Sequence, residues 1–145
     1  MFLKGGENMD KSVQVLAGAN GIKKAYGMTL AAKKIDIICL SENYSEVIGE
    51  YFDKVYQPKL AGSLIKTREI LPSLPGNTGS GEKNGGHDVR FVSGKSVNES
   101  DLLLTEREAI LISFDPVQPG AVIVRNEAVR RGLELVFNEL WAKLA

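Results

Sequence analysis

The chain has 145 residues, 43% of them hydrophobic and 25% charged, which is the size and balance of one globular domain. Its 18 basic and 18 acidic residues cancel, which argues against a surface built to grip phosphate backbones, and one Cys and one His exclude an intrachain disulfide, a zinc finger and any site that needs two imidazoles. No apolar run approaches the roughly 18 residues of a membrane span, and the opening MFLKGGENMD lacks a signal peptide's apolar stretch, so a cytoplasmic protein with no membrane contact is expected.

Residues 1–11 are polar and read as a flexible arm; residues 12–145 read as one domain. Ser12 to Ala17 alternates Val13, Val15 and Ala17 with polar residues, a strand pattern. The turn Gly18 to Gly21 follows. Ile22, Ala25, Tyr26 and Leu30 then recur at helical spacing, predicting a helix that Asn20 caps and that Lys33 and Lys34 close in keeping with its dipole. The nearly unbroken apolar run Ile35 to Leu40 predicts a strand buried on both faces. Ser41 to Ser45 reads as a loop. Val47, Ile48, Tyr51, Phe52 and Val55 form the apolar face of a second helix that Pro58 ends.

Leu64 to Leu71 alternates charged and apolar residues and reads as a third strand, which completes a strand–helix–strand–helix–strand order of the α/β class. Pro72 to His87 holds two prolines and five glycines, so it predicts a mobile loop. Further strands are expected from Val89, over Asp101 to Leu104, over Ala109 to Phe114 and over Ala121 to Val124. Thr105 to Glu108 and Asp115 to Gly120 serve as turns. Val129, Leu133, Val136, Phe137, Leu140, Trp141 and Leu144 mark a closing helix capped by Asn126.

Four stretches, VQVLAGANGIKKAY, YFDKVYQPKLAGSLIKTREILP, DLLLTEREAILISF and AVIVRNEAVRRGLELVFNELW, together resemble the phospholipase-D-like domain that follows the winged helix in TrmB-type transcriptional regulators. The resemblance runs from about Val13 to Leu144 and implies an α/β phospholipase-D-like domain, a mixed sheet flanked by helices. Phospholipase-D-type enzymes carry an H-x-K-x4-D motif, in which the His attacks phosphorus and the Lys steadies the phosphate charge. Laid without gaps on this hairpin, the motif falls on Glu99, Asp101 and Glu106, giving E-x-D-x4-E. Acids stand where a nucleophile and a cation are needed, and they repel a phosphodiester. The implied function is therefore a non-catalytic effector-sensing or dimerisation domain. It needs no cofactor or metal, is expected to form a homodimer, and takes a small effector that is sugar-related by resemblance alone. DNA would be reached only through an attached or associated winged helix, since about ten polar residues precede the first strand.

The remaining chemistry-bearing residues have bland alternatives. His87, in GGHD, is either a displaced nucleophile or metal ligand or, more simply, a solvated loop histidine. Cys39, inside an apolar strand, reads as a buried structural thiol. Glu99, Asp101, Glu106 and Glu108 form an acidic cluster that fits a solvated hairpin better than a cation site. Arg125, Arg130 and Arg131 are candidate anion contacts, against pairing with Glu127 and Glu134. The G-A-N-G turn matches no phosphate-binding motif and reads as a plain connection. Tyr26, Tyr51, Phe52, Tyr56 and Trp141 suit core or dimer packing, with Trp141 a candidate interface anchor. Two other function classes remain open: a diverged phosphodiesterase or nuclease using His87 or a hairpin-bound metal, and a pure protein-interaction module.

Overall fold

The computed structural model describes residues 11–73, 86–93 and 99–144. The polar arm at 1–10, most of the Gly- and Pro-rich segment, and residues 94–98 lie outside the described residues. Seven strands form one mixed sheet: β1 (Val13–Ala17), β2 (Lys34–Cys39), β3 (Lys66–Pro72), β4 (His87–Val92), β5 (Ser100–Thr105), β6 (Ala109–Ser113) and β7 (Gly120–Val124). Their order across the sheet is β1-β7-β6-β5-β2-β3-β4. β2, β3 and β4 pair in parallel, while β5, β6, β7 and β1 pair antiparallel. The expected mixed sheet flanked by helices is what forms. The strand–helix–strand start is not a paired unit, however: β1 sits at the sheet edge against β7, and β2 pairs with β3 and β5.

Helix α1 (Gly18–Thr29) begins directly after β1. Ala17 occupies its cap position and makes no side-chain cap, so Asn20 lies inside the first turn, exposed, and does not cap it. The Gly18–Gly21 stretch is thus the helix start, not a connecting turn. A Cβ on Gly21 would come within 2.5 Å of the Leu16 backbone, so the glycine lets the helix fold back against the strand that precedes it.

The second predicted helix is broken into three pieces: α2 (Tyr44–Ile48), a π-helical turn over Phe52–Tyr56, and α3 (Gln57–Ala61). Gly49, at φ +62°, ends α2 with a conformation that L side chains rarely adopt. Pro58 does not end the helix. It lies in the first turn of α3, where its missing N–H costs nothing. The last helix, α4 (Glu127–Lys143), is as the periodicity predicts, and Asn126 Oδ1 accepts a hydrogen bond from the Val129 amide at 3.0 Å.

Each sheet face has its own core. On one face Ile22, Ala25 and Tyr26 of α1, with Ile48, Tyr56 and Leu60, pack on Ile35, Ile37, Leu103, Ile110, Ile112 and Ile123. On the other, Phe137, Leu133, Leu140 and Trp141 of α4 pack on Ile38, Ile70, Leu102, Leu104 and Ala109. Successive side chains of a strand point to opposite faces, so a run such as IDIIC feeds both cores at once. Val13 and Val15 of β1, Val122 of β7 and Leu111 of β6 remain exposed, with Val15 opposite Val122 and Val122 opposite Leu111.

Candidate functional site

A cavity of about 240 Å³ opens at the C-terminal ends of the parallel strands β2 and β3, beside the start of β5. Crevices at the carboxyl ends of parallel strands are the usual ligand sites of α/β sheets. Tyr26 of α1, Tyr44 of α2, and Phe52 and Tyr56 of the π-turn supply its aromatic wall. Their rings form a connected cluster, with centroids 4.8 Å apart for Tyr26–Tyr56, 5.7 Å for Tyr26–Phe52 and 5.3 Å for Tyr44–Phe52. The strands supply Cys39, Glu69 and Asp101, and the connection after β2 supplies Ser41.

Asp101 is 4% exposed. Its carboxylate accepts from the Tyr26 hydroxyl at 3.1 Å, the Ser41 hydroxyl at 2.9 Å and the Ser41 amide at 3.4 Å. All three donors are neutral. Burial raises the Asp101 carboxyl above its ordinary value, and the hydrogen bonds from Ser41, Cys39 and Tyr26 only partly offset that rise. Burial likewise raises Glu69, opposed by a hydrogen bond from Thr67. Burial first, and Asp101 second, push the Tyr26 hydroxyl and the Cys39 thiol well up, so Cys39 is not a ready thiolate. Burial pushes Tyr56 up to about 12.

The structure distributes the predicted site residues unevenly. Asp101 is in the cavity. Glu99, one residue before β5 and exposed, stands at the same end of the sheet, 3.5 Å from the Asn43 amide nitrogen. Glu106 does not belong with them. It lies beyond the other end of β5 and accepts hydrogen bonds from the backbone amides of Lys33 at 3.1 Å and Lys34 at 3.4 Å, where β2 begins. Glu108 is buried and meets Arg125 at 3.5 Å. Among the described residues no three His, Cys, Asp or Glu side chains are grouped to hold a metal ion.

His87 is not a loop residue. It opens β4, opposite Thr67, whose hydroxyl lies 2.7 Å from Nδ1. Thr67 is four residues back along β3 from Leu71, which lines the cavity, so His87 sits at the wrong end of the sheet to act with Asp101. The three candidate anion-binding arginines are all engaged with acids. Arg130 is buried between Glu127 at 3.1 Å and Glu134 at 3.6 Å and also donates to the Thr105 carbonyl. Arg131 meets Glu127 at 3.3 Å, and Arg125 meets Glu108 and Gln14. Trp141 is held within the chain, stacked on Phe137 with the Arg90 guanidinium 4.4 Å from its ring centre. Cys39 lines the cavity; it is not sealed in the sheet interior.

Sequence reasoning missed Glu69, Ser41 and Tyr44 as site residues. The signal for Glu69 was present: in LIKTREIL the period of two puts Glu69 on one face with Thr67 and Leu71, opposite Arg68 and Ile70. Ser41 and Tyr44 fall in a connection whose path only the folded chain defines.

No family model and no curated protein matches this sequence. Solved structures do match in fold. TrmBL2, described as an archaeal chromatin protein with a novel mode of DNA binding, superposes with a TM-score of 0.60 at 20% identity, over 92% of this chain and 53% of that one. This chain therefore spans about half the length of TrmBL2. Nuc from Salmonella typhimurium, a phospholipase D family member, gives a TM-score of 0.59 at 13% identity, covering 92% of this chain and 96% of Nuc. NucT from Helicobacter pylori gives 0.56 at 12%, covering 92% and 96%. The fold of this chain is accordingly the phospholipase-D-like fold.

Proposed function

We propose that this chain is a non-catalytic, ligand-sensing or dimerisation domain of a TrmB-like regulator. The observation that carries the reading is the state of Asp101. On the gapless alignment it occupies the position of the motif lysine, and it is buried under hydroxyl and amide donors with Glu99 in the place of the motif histidine. A phosphodiester approaching this cavity would meet carboxylates and, among the described residues, no cation, and the sole imidazole lies at the far end of the sheet. The fold likeness to TrmBL2 supports the regulatory half of the reading, and the 53% coverage of that chain is consistent with a domain that works beside a separate DNA reader.

Mechanistically, the cavity draws its walls from α1, β2, α2, the π-turn, β3 and β5. A ligand that prefers one arrangement of these elements shifts the population toward it and biases whatever is attached. The exposed apolar row on β1, β7 and β6 supports a second copy as one means of transmitting that bias. Incubation with bis(p-nitrophenyl) phosphate and with single-stranded DNA tests the reading: no product above background is expected with or without added divalent cation. Turnover that His87→Ala abolishes would replace it with a diverged phosphodiesterase.

A further inference from the structure

We propose that the cavity at the C-terminal ends of β2 and β3 is a receptor for a small organic cation, an alkylammonium ion seated between the Asp101 and Glu69 carboxylates and the rings of Tyr26, Tyr44, Phe52 and Tyr56. The inference rests on the reading of this domain as a non-catalytic ligand binder and names the class of ligand.

Three observations select the charge and chemistry of the occupant. First, among the described residues the lining contains two carboxylates and no Lys, Arg or His, so an anion is disfavoured. Neither carboxylate is in an ion pair among the described residues, whereas the other buried acids on the sheet, Asp36 and Glu108, each have an arginine. Second, three of the four hydroxyls in the lining are already committed. The Tyr26 and Ser41 hydroxyls serve Asp101, and the Tyr56 hydroxyl is 2.7 Å from Thr29 Oγ1. Besides the Tyr44 hydroxyl and the Gln57 amide, what the lining side chains leave for a ligand is ring surface and carboxylate lone pairs. Aromatic rings with carboxylates complement an ammonium ion that carries apolar substituents. Third, the two carboxylates come from different strands. Asp101 is on β5 and Glu69 on β3, with β2 between them, so their backbones are roughly 10 Å apart at two strand spacings. Among the described residues no three His, Cys, Asp or Glu side chains are grouped to hold a metal ion, and a span of two strands leaves room for an organic cation. The volume, about 240 Å³, lies below the roughly 300–1,000 Å³ of drug-sized sites, so the occupant is small.

The groups that face Asp101 are Tyr26 from α1, Cys39 from β2 and Tyr44 from α2; those that act on Glu69 or respond to it are Thr67 from β3, Cys39 and Tyr56. None supplies a positive charge, so ammonium binding strengthens as pH rises and the carboxyls ionise.

The test uses the 145-residue chain with n-butylammonium and tetramethylammonium as probes, and tert-butanol, glucose and inorganic phosphate as controls. Calorimetry and ligand-to-ring nuclear Overhauser effects are the readouts. Expected results are binding of an ammonium probe with contacts to the Tyr26, Tyr44 or Phe52 rings, binding that strengthens from pH 4 to 7, and a roughly tenfold loss in Glu69→Gln. Asp101→Asn is expected to lose at least as much. Should that variant fail to fold by circular dichroism, Glu69→Gln and the ring contacts carry the test alone. Absence of heat and of ring contacts with both ammonium probes overturns the proposal. So does glucose or phosphate binding at the same rings, although that result leaves the ligand-sensing reading standing. Hydrolysis of bis(p-nitrophenyl) phosphate would remove the underlying reading instead.

Discussion

Asp36 and Asp101 lie on neighbouring strands of one sheet at nearly the same depth, 3% and 4% exposed, and they are treated in opposite ways. Asp36 faces α4. It is gripped by Arg68 through Nε at 2.8 Å and Nη2 at 2.7 Å, a two-pronged pair. Arg68 is itself held by Asn138 and by the rings of Phe137 and Trp141, 4.9 and 5.5 Å from the guanidinium carbon. Asp101 faces the cavity and receives only neutral donors. The α4 face is a closed structure in which charge is matched internally. Among the described residues the cavity face gives its two carboxylates no Lys or Arg partner, the imbalance on which the ammonium proposal rests.

The comparison breaks if the two acids contribute alike to stability. The largest effect is expected from Asp36→Ala, which strands a half-buried guanidinium and should cost about 3–5 kcal/mol in urea unfolding. A loss no greater than that of an ordinary surface change would show the pair to be ornamental. Tyr26→Phe removes one of three neutral donors from Asp101 and should cost less, about 1.5 kcal/mol by the same measurement.

The pH dependence sharpens the contrast further. Because burial raises the folded-state value of Asp101 above 3.8, the native state holds its proton longer than the unfolded chain does, and this group's contribution to stability falls as pH rises from about 4 through that raised value. Asp101→Asn removes the dependence, so the variant should gain on the wild type between pH 4 and 7 in parallel unfolding curves. A difference that is flat, or that runs the other way, would mean that the carboxylate is stabilised as a charge. The smallest effect is expected from Glu106→Gln, which weakens caps on two amides at the opposite end of the hairpin. It should cost under about 1 kcal/mol and leave ammonium binding unchanged.

The strands and the closing helix were legible because their signals are local. VQVLA and LIKTREIL alternate, IDIICL is doubly apolar, and the residues from Val129 to Leu144 keep one stripe at helical spacing. The middle helix was misread because its apolar spacing is continuous while its backbone is not. Gly49 turns the chain at positive φ, and the π-turn then resets the phase so that Phe52 and Tyr56 face the cavity. Of the hairpin acids, Asp101 lines the cavity, whereas the motif alignment treated Glu106 as its neighbour. A strand that runs through Thr105 carries those two residues to opposite ends of the sheet.

What the sequence determined by itself is the class of fold, the positions of the strands and, on the gapless alignment, acids at the places of the motif histidine and lysine. These follow from periodicity and residue identity, which a chain carries before it folds. Only the tertiary structure decided that β1 closes the sheet beside β7, that Arg68 neutralises Asp36, and that Asp101 and Glu69 share an aromatic-walled cavity with no cation among its described residues. Those facts depend on strand order and on which face each side chain takes, and they join residues as far apart as Tyr26 and Asp101, beyond the reach of any local pattern.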